Sequence, residues 1–148
     1  SNGNYINQFG SVGYEALQFD EPVGIAVDAS GLIYIADTWN QRVQVVQPGI
    51  NDEFTALRSW DIVAWYGQSL DNKPYIAVDS QGNVFISDPE GNRILKFNSQ
   101  GEFLYFWGDY GITDSLFNLP VGLAIDSEDG VWVADSGNHR LMHFMPTE

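Results

Sequence analysis

Apolar residues come in runs of four to seven, rich in Val, Ile and aromatics and separated by Gly, Asn, Asp and Pro. No stretch sustains a period of 3.6, so the pattern predicts short strands joined by tight turns. Four strands are predicted per repeat. Strand a covers 23–28, 74–79 and 121–126, and strand b covers 32–37, 83–88 and 131–135. Strand c covers 41–47, 92–98 and 139–145. Strand d covers 4–9, 57–66 and 102–107, ending in Phe9-Gly10, Tyr66-Gly67 and Trp107-Gly108.

The same phrase occurs three times. Pro22-Val23-Gly24-Ile25-Ala26-Val27-Asp28 returns as Pro74-Tyr75-Ile76-Ala77-Val78-Asp79 and as Pro120-Val121-Gly122-Leu123-Ala124-Ile125-Asp126. Nine residues after that Asp stands a second one, Asp37, Asp88 or Asp135, and five later an Arg, Arg42, Arg93 or Arg140. Spacings of 51 and then 47 residues are those of propellers and other repeat architectures. Asp28-Ala29-Ser30-Gly31 and Asp79-Ser80-Gln81-Gly82 place Asp at the start of a turn and Gly where positive φ is wanted, and Asp129-Gly130 is a hairpin signal. Gly24, Ala26, Gly122 and Ala124 keep strand a small, as suits an innermost strand where sheets converge.

Pro-x-Gly-Ile-Ala-Val-Asp, then Ile-Tyr-Ile-Ala-Asp, then Asn-x-Arg-Val-Gln-Val resembles the NHL repeat, a blade of six-bladed β-propellers. The second copy departs from it, with Gly91 in place of Asn and Tyr75 in place of Gly. The resemblance implies an all-β fold of four-stranded blades. Residues 1–148 are read as one domain with repeats at about 4–47, 57–98 and 102–145, each a strand d followed by a, b and c. The chain opens on a strand d and closes on a strand c. Two chains could therefore complete each other's last blade in a six-bladed homodimer; the alternative is three blades of a longer parent.

Twenty acidic residues against six basic ones give a formal charge of −14. Nucleic-acid binding draws on Lys and Arg neutralising phosphates, so nucleic acid and anionic membranes are not expected partners. The chain has no Cys, hence no disulfide framework, and compartment is unassigned. No run of about 18 apolar residues or leader pattern is present. The segment reads as a soluble piece of a larger, exported or membrane-anchored protein.

Alternating strand directions place the d–a loops and b–c turns on one face. The repeat residues Asp37, Arg42, Asp88, Arg93, Asp135 and Arg140 are read as structural. Trp39, Tyr75, Tyr110 and His139 are the candidate contacts for a ligand or partner: Trp39 stands where other copies have Glu90 and Gly137, and Tyr75 would face a central channel. The c–d connection of the first repeat is read as ten residues longer than that of the second, and the loop 67–79 as six shorter than its equivalents. His139 and His143 lie about 13 Å apart along a strand, and no third His exists.

The family also includes metal-dependent lyases, and related propellers include calcium-dependent lactonases. This sequence supplies no channel His set and no dense calcium loop. No catalytic residue, metal ligand or cofactor is assigned, though Asp and Asn leave calcium open. The expected function is a non-catalytic scaffold that recognises a protein, peptide or small ligand. The alternative is a calcium- or zinc-dependent lyase or lactonase at the channel, and RNA binding, known in some NHL proteins, is least favoured.

Overall fold

The computed structural model describes residues 3–66 and 73–146. A short parallel bridge between β1 (Ser11–Val12) and β2 (Gln18–Phe19) precedes three antiparallel sheets. Sheet 1 runs in the order β3 (Pro22–Val27), β4 (Ile33–Asp37), β5 (Arg42–Pro48) and β6 (Phe54–Asp61). Sheet 2 follows with β7 (Ile76–Val78), β8 (Val84–Asp88), β9 (Arg93–Phe97) and β10 (Phe103–Trp107). Sheet 3 has β11 (Pro120–Ile125), β12 (Val131–Asp135) and β13 (Arg140–Phe144), with no fourth strand among the described residues.

The a–b hairpins close as their sequence requires. The Asp28 carboxylate accepts the N–H groups of Ser30 and Leu32 at 2.9 and 3.0 Å, and Gly31 takes φ +88°. Asp79 and Asp126 repeat the arrangement, with Gly82 at φ +81° and Asp129 at φ +63° in the left-handed position. A carboxylate that accepts its own turn's amides is a local device, so it works in every copy.

Two cores fill the spaces between sheets. Tyr34, Val43 and Val45 of sheet 1 meet Ile76, Val84, Ile86 and Leu95 of sheet 2, and Trp65 is buried in the same cluster, its indole N–H donating to the Ser87 carbonyl at 3.0 Å. Phe85 and Ile94 on the other side of sheet 2 meet Phe117, Val131 and Val133. The inner strands lie side by side, β7 touching both β3 and β11. A Cβ at Gly24 would come within 3.1 Å of the Ile76 backbone nitrogen, so a larger residue there would push the two inner strands apart by a few tenths of an ångström.

Strands a, b and c and the third strand d, β10, lie within two residues of their predicted bounds, but the first two strands d do not. Residues 4–9 form no strand; Tyr5 and Ile6 are exposed, with no sheet neighbour to pair with. The second strand d is β6, ending at Asp61 rather than at 66, and Gly67 lies outside the described residues. Trp60 pairs with Val43 as Trp107 pairs with Ile94, which makes Trp60, not Tyr66, the counterpart of Trp107. The first c–d hairpin is therefore four residues longer than the second, measured from Asp37 to Trp60 against Asp88 to Trp107. The following loop is equal in length, from Trp60 to Ile76 against Trp107 to Leu123, and not shorter.

Candidate binding face

The repeat Asp and Arg build the face on which the d–a loops and b–c turns meet. Asp37, fully buried, accepts the Asp20 N–H at 2.8 Å and Arg42 Nε at 2.7 Å. Arg42 then donates to the carbonyls of Tyr14 at 2.6 Å, Glu15 at 3.1 Å and Gln18 at 3.0 Å. One guanidinium thus satisfies three loop carbonyls, and its plane lies 4.3 Å from the Tyr14 ring centre. Sheet 3 repeats the clamp: Asp135 accepts from the Asn118 N–H and Arg140 Nε, and Arg140 holds the carbonyls of Ile112, Thr113 and Leu116. In sheet 2, Arg93 pairs with Asp88 at 2.8 Å and reaches the Val63 carbonyl at 3.1 Å.

Asn40 and Asn138 tie turn to loop, donating to the carbonyls of Gly13 and Gly111 at 2.9 and 2.7 Å. The middle repeat lacks that Asn, and a Cβ at Gly91 would collide with the Asp88 carboxylate. Asn92 instead accepts the Leu119 N–H at 3.0 Å. The departure in the second copy therefore still joins turn to loop.

The clamps have a common consequence: each arginine grips the carbonyl of a residue whose apolar side chain faces solvent. Tyr14 is 58%, Val63 73% and Ile112 70% exposed. Sequence reading missed all three. A signal was present for two of them in the repeated Gly10-Ser11-Val12-Gly13-Tyr14 and Gly108-Asp109-Tyr110-Gly111-Ile112.

Of the sequence candidates, Trp39 lies on this face, half exposed, its backbone N–H bonded to the Asp20 carbonyl. The Glu21 carboxyl beside it is held below its ordinary range, first by the hydrogen bond from Lys73 and then by that from the Trp39 indole. Tyr110 is exposed on the loop that Arg140 clamps, bridged to Phe117. His139 takes φ +56°, a left-handed position shared by Gln41 and Asn92, so its place in the chain is set by the turn. Tyr75 is elsewhere, at the start of β7, lining a cavity of about 420 Å³ with Gly122, Ala124, Trp132 and Leu141. No hydrogen bond or ring contact joins these four candidates to one another among the described residues.

His143, predicted to lie on one strand with His139, stands in β13 while His139 precedes it; His143 stacks on Trp132 at 4.3 Å and lies 3.0 Å from the Asp126 carboxylate. Among the described residues, no three His, Asp or Glu side chains converge as metal ligands.

The comparisons with known proteins agree with this architecture. The family model for the NHL repeat matches residues 19–46 and 117–144. Human NHL repeat-containing protein 3 is 35% identical over 78 residues, covering 51% of this chain and 22% of its own length. Peptidyl-alpha-hydroxyglycine alpha-amidating lyase 1 of Drosophila melanogaster is 28% identical over 138 residues, 86% of this chain and 26% of its own length. The structure of a streptogramin B lyase superposes with a TM-score of 0.56 at 14% identity, covering 86% of this chain and 41% of that one. The chain thus spans less than half the length of these relatives, and the superposition speaks for the fold alone. The chain thus carries matches to the NHL repeat at two positions, in its first and third sheets, and resembles NHL repeat-containing proteins.

Proposed function

We propose that this protein is a non-catalytic binding module whose d–a loops and b–c turns dock a protein or peptide. The observation that carries the reading is the repeated clamp. Three buried or half-buried Asp–Arg pairs hold three loops rigid, and each presents an exposed apolar side chain, Tyr14, Val63 or Ile112. Large side chains fixed in place lose little entropy on binding. Glu15, Asp20, Glu21, Asp109 and Asp114 stand in the same loops, so the partner segment is both apolar and basic, and a polyanion is disfavoured.

In this reading the three sheets are three blades of a propeller, and a second chain supplies the other three of a six-bladed ring. The test is selection of displayed peptides on the protein, with affinities measured by calorimetry. Selected peptides are expected to carry Lys or Arg between aromatics and to lose at least tenfold in affinity to Tyr14→Ser, Trp39→Ser and Ile112→Ser. Undiminished binding to all three variants would exclude this face.

A second reading, a lyase at the channel, draws on the likeness to the amidating lyase. A peptide ending in α-hydroxyglycine, incubated with the protein with and without zinc or calcium, tests it. Amide product above the uncatalysed rate would establish the activity, and its absence under every condition would remove that reading.

A further inference from the structure

Sheets 1 and 2 are both four-stranded, and the gap between their outer strands holds a cavity of about 410 Å³. Leu95, Phe97, Phe103 and Phe106 of sheet 2 form its apolar wall, and Asp61 and Val63 stand opposite. Arg93 lines the same space and bonds the Val63 carbonyl, so the cavity reaches the face that carries the clamps.

Register identifies the equivalent place in sheet 1. Arg42, Gln44, Ala56 and Ser59 are the counterparts of Arg93, Leu95, Phe103 and Phe106, and they line a cavity of about 180 Å³. There the chain's own loop is seated on the wall. Gln44 donates to the Gln18 carbonyl at 2.6 Å and accepts the Leu17 N–H at 3.2 Å, and Ala16 lines the remaining space. In sheet 2 three of the four wall residues are apolar and larger than their counterparts, yet the space left open is more than twice as large.

The arginines differ in the same sense. Nη1 of Arg42 and Nη1 of Arg140 donate to the Tyr14 and Ile112 carbonyls, each at 2.6 Å. Nη1 of Arg93 makes no hydrogen bond among the described residues, and its guanidinium holds one loop carbonyl where each of the others holds three. Trp65 of that loop is drawn into the core, its indole bonded to the Ser87 carbonyl. Phe106, with its ring centre 5.1 Å from the Arg93 guanidinium, stands as the Tyr14 ring does over Arg42. Arg93 thus keeps an aromatic partner and lacks two acceptors.

We infer that this cavity takes a segment of a partner peptide in the place that the chain's own loop fills in sheet 1. A peptide carbonyl bonds Arg93 Nη1, and an aromatic side chain enters between Val63 and the wall of Leu95, Phe103 and Phe106. The volume is that of a small-ligand site, typically about 300–1,000 Å³, enough for one aromatic side chain with its flanking backbone. Asp61 is exposed and has no hydrogen bond or ion pair among the described residues, so a Lys or Arg next to the aromatic meets it. This inference rests on the peptide-docking reading above and adds where the anchor residue enters and which groups receive it.

The probe is the blocked dipeptide acetyl-Phe-Lys-amide, titrated into isotope-labelled protein and followed by NMR. Saturable shifts of the Arg93 Nε–H and Gly101 N–H signals are expected, with a Kd on the order of 1 mM. Phe106 is 50% exposed, so Phe106→Ser should keep the fold and weaken binding about tenfold. Asp61→Lys should abolish a preference of about threefold over acetyl-Phe-Glu-amide. The absence of saturable shifts, equal affinity for the two dipeptides in the wild type, or binding indifferent to Phe106→Ser overturns the inference. The same shifts produced by raising protein concentration alone would place a second copy in the cavity and overturn it too. Display-selected peptides that weaken with Tyr14→Ser but not with Phe106→Ser would leave peptide docking standing without this cavity.

Discussion

Arg42 Nε lies 2.7 Å from Asp37 Oδ2, with the two side chains 7% and 0% exposed. Removing one member of a buried ion pair leaves the other charge without compensation, which costs about 3–5 kcal/mol. Arg42→Ala is expected in that range. Arg140 makes the same bonds, but its side chain is 26% exposed, so water replaces part of what Arg140→Ala removes, and a cost of about 1–3 kcal/mol is expected. Chemical denaturation of the two variants checks the order; equal costs would show that burial does not govern the clamps.

Two glycines separate backbone strain from steric collision. Gly31 has φ +88° with open space where a Cβ would stand, so Gly31→Ala should cost only the left-handed penalty of about 1–2 kcal/mol. Gly108 has φ +103°, and its Cβ would meet the Phe117 ring and come within 2.8 Å of the Asn92 carbonyl. Overpacking adds about 1–3 kcal/mol to the same penalty. Thermal unfolding should therefore place Gly108→Ala well below Gly31→Ala, and overlapping transitions would count against the packing at Phe117.

Acid should unfold the protein through its a–b turns. For Asp28, burial raises the carboxyl pKa but is outweighed by hydrogen bonds from Ser30, Leu32 and Tyr34, and the net direction is down. Backbone hydrogen bonds from Glu128 and Gly130 lower Asp126, and the Ser80 hydroxyl and amide lower Asp129. Groups depressed on folding contribute stability that is complete above the unfolded carboxylate range, about pH 4, and lost as pH falls through their folded values. Melting temperature should hold on the neutral side of that range as far as these three groups are concerned and drop below it. Asp129→Asn should flatten the drop, and an unchanged acid limb in that variant would contradict the role of the Ser80–Asp129 link.

Exposure of the binding-face residues predicts that function and stability separate there. Ile112→Ser, at a side chain 70% exposed, should change stability by no more than about 0.5 kcal/mol. Tyr14→Ser also loses the Arg42 stacking contact, worth about 0.5–1 kcal/mol at an exposed site. Denaturation midpoints check both, and a loss above about 2 kcal/mol in either would mean that the loops rest on these side chains.

The sequence by itself determined the repeat, the three inner strands of each copy, the Asp-led hairpins and the place of the Asp–Arg pairs. All of these depend on interactions within a few residues of one another. Asp28 bonds its own turn and Arg42 faces Asp37 across one hairpin, so period and spacing expose them. Only the tertiary structure decided the first two strands d, whereas the third, 102–107, is β10. Trp60 and Tyr66 are both aromatic at the end of an apolar run, and it is pairing with Val43 that selects Trp60. Residues 4–9 have the strand pattern and no strand, because a strand exists only beside a neighbour that takes its N–H and C=O groups. The exposed side chains of Tyr14, Val63 and Ile112 were hidden for the same reason: their positions are set by carbonyls that an arginine about 28 residues away in sequence holds in place.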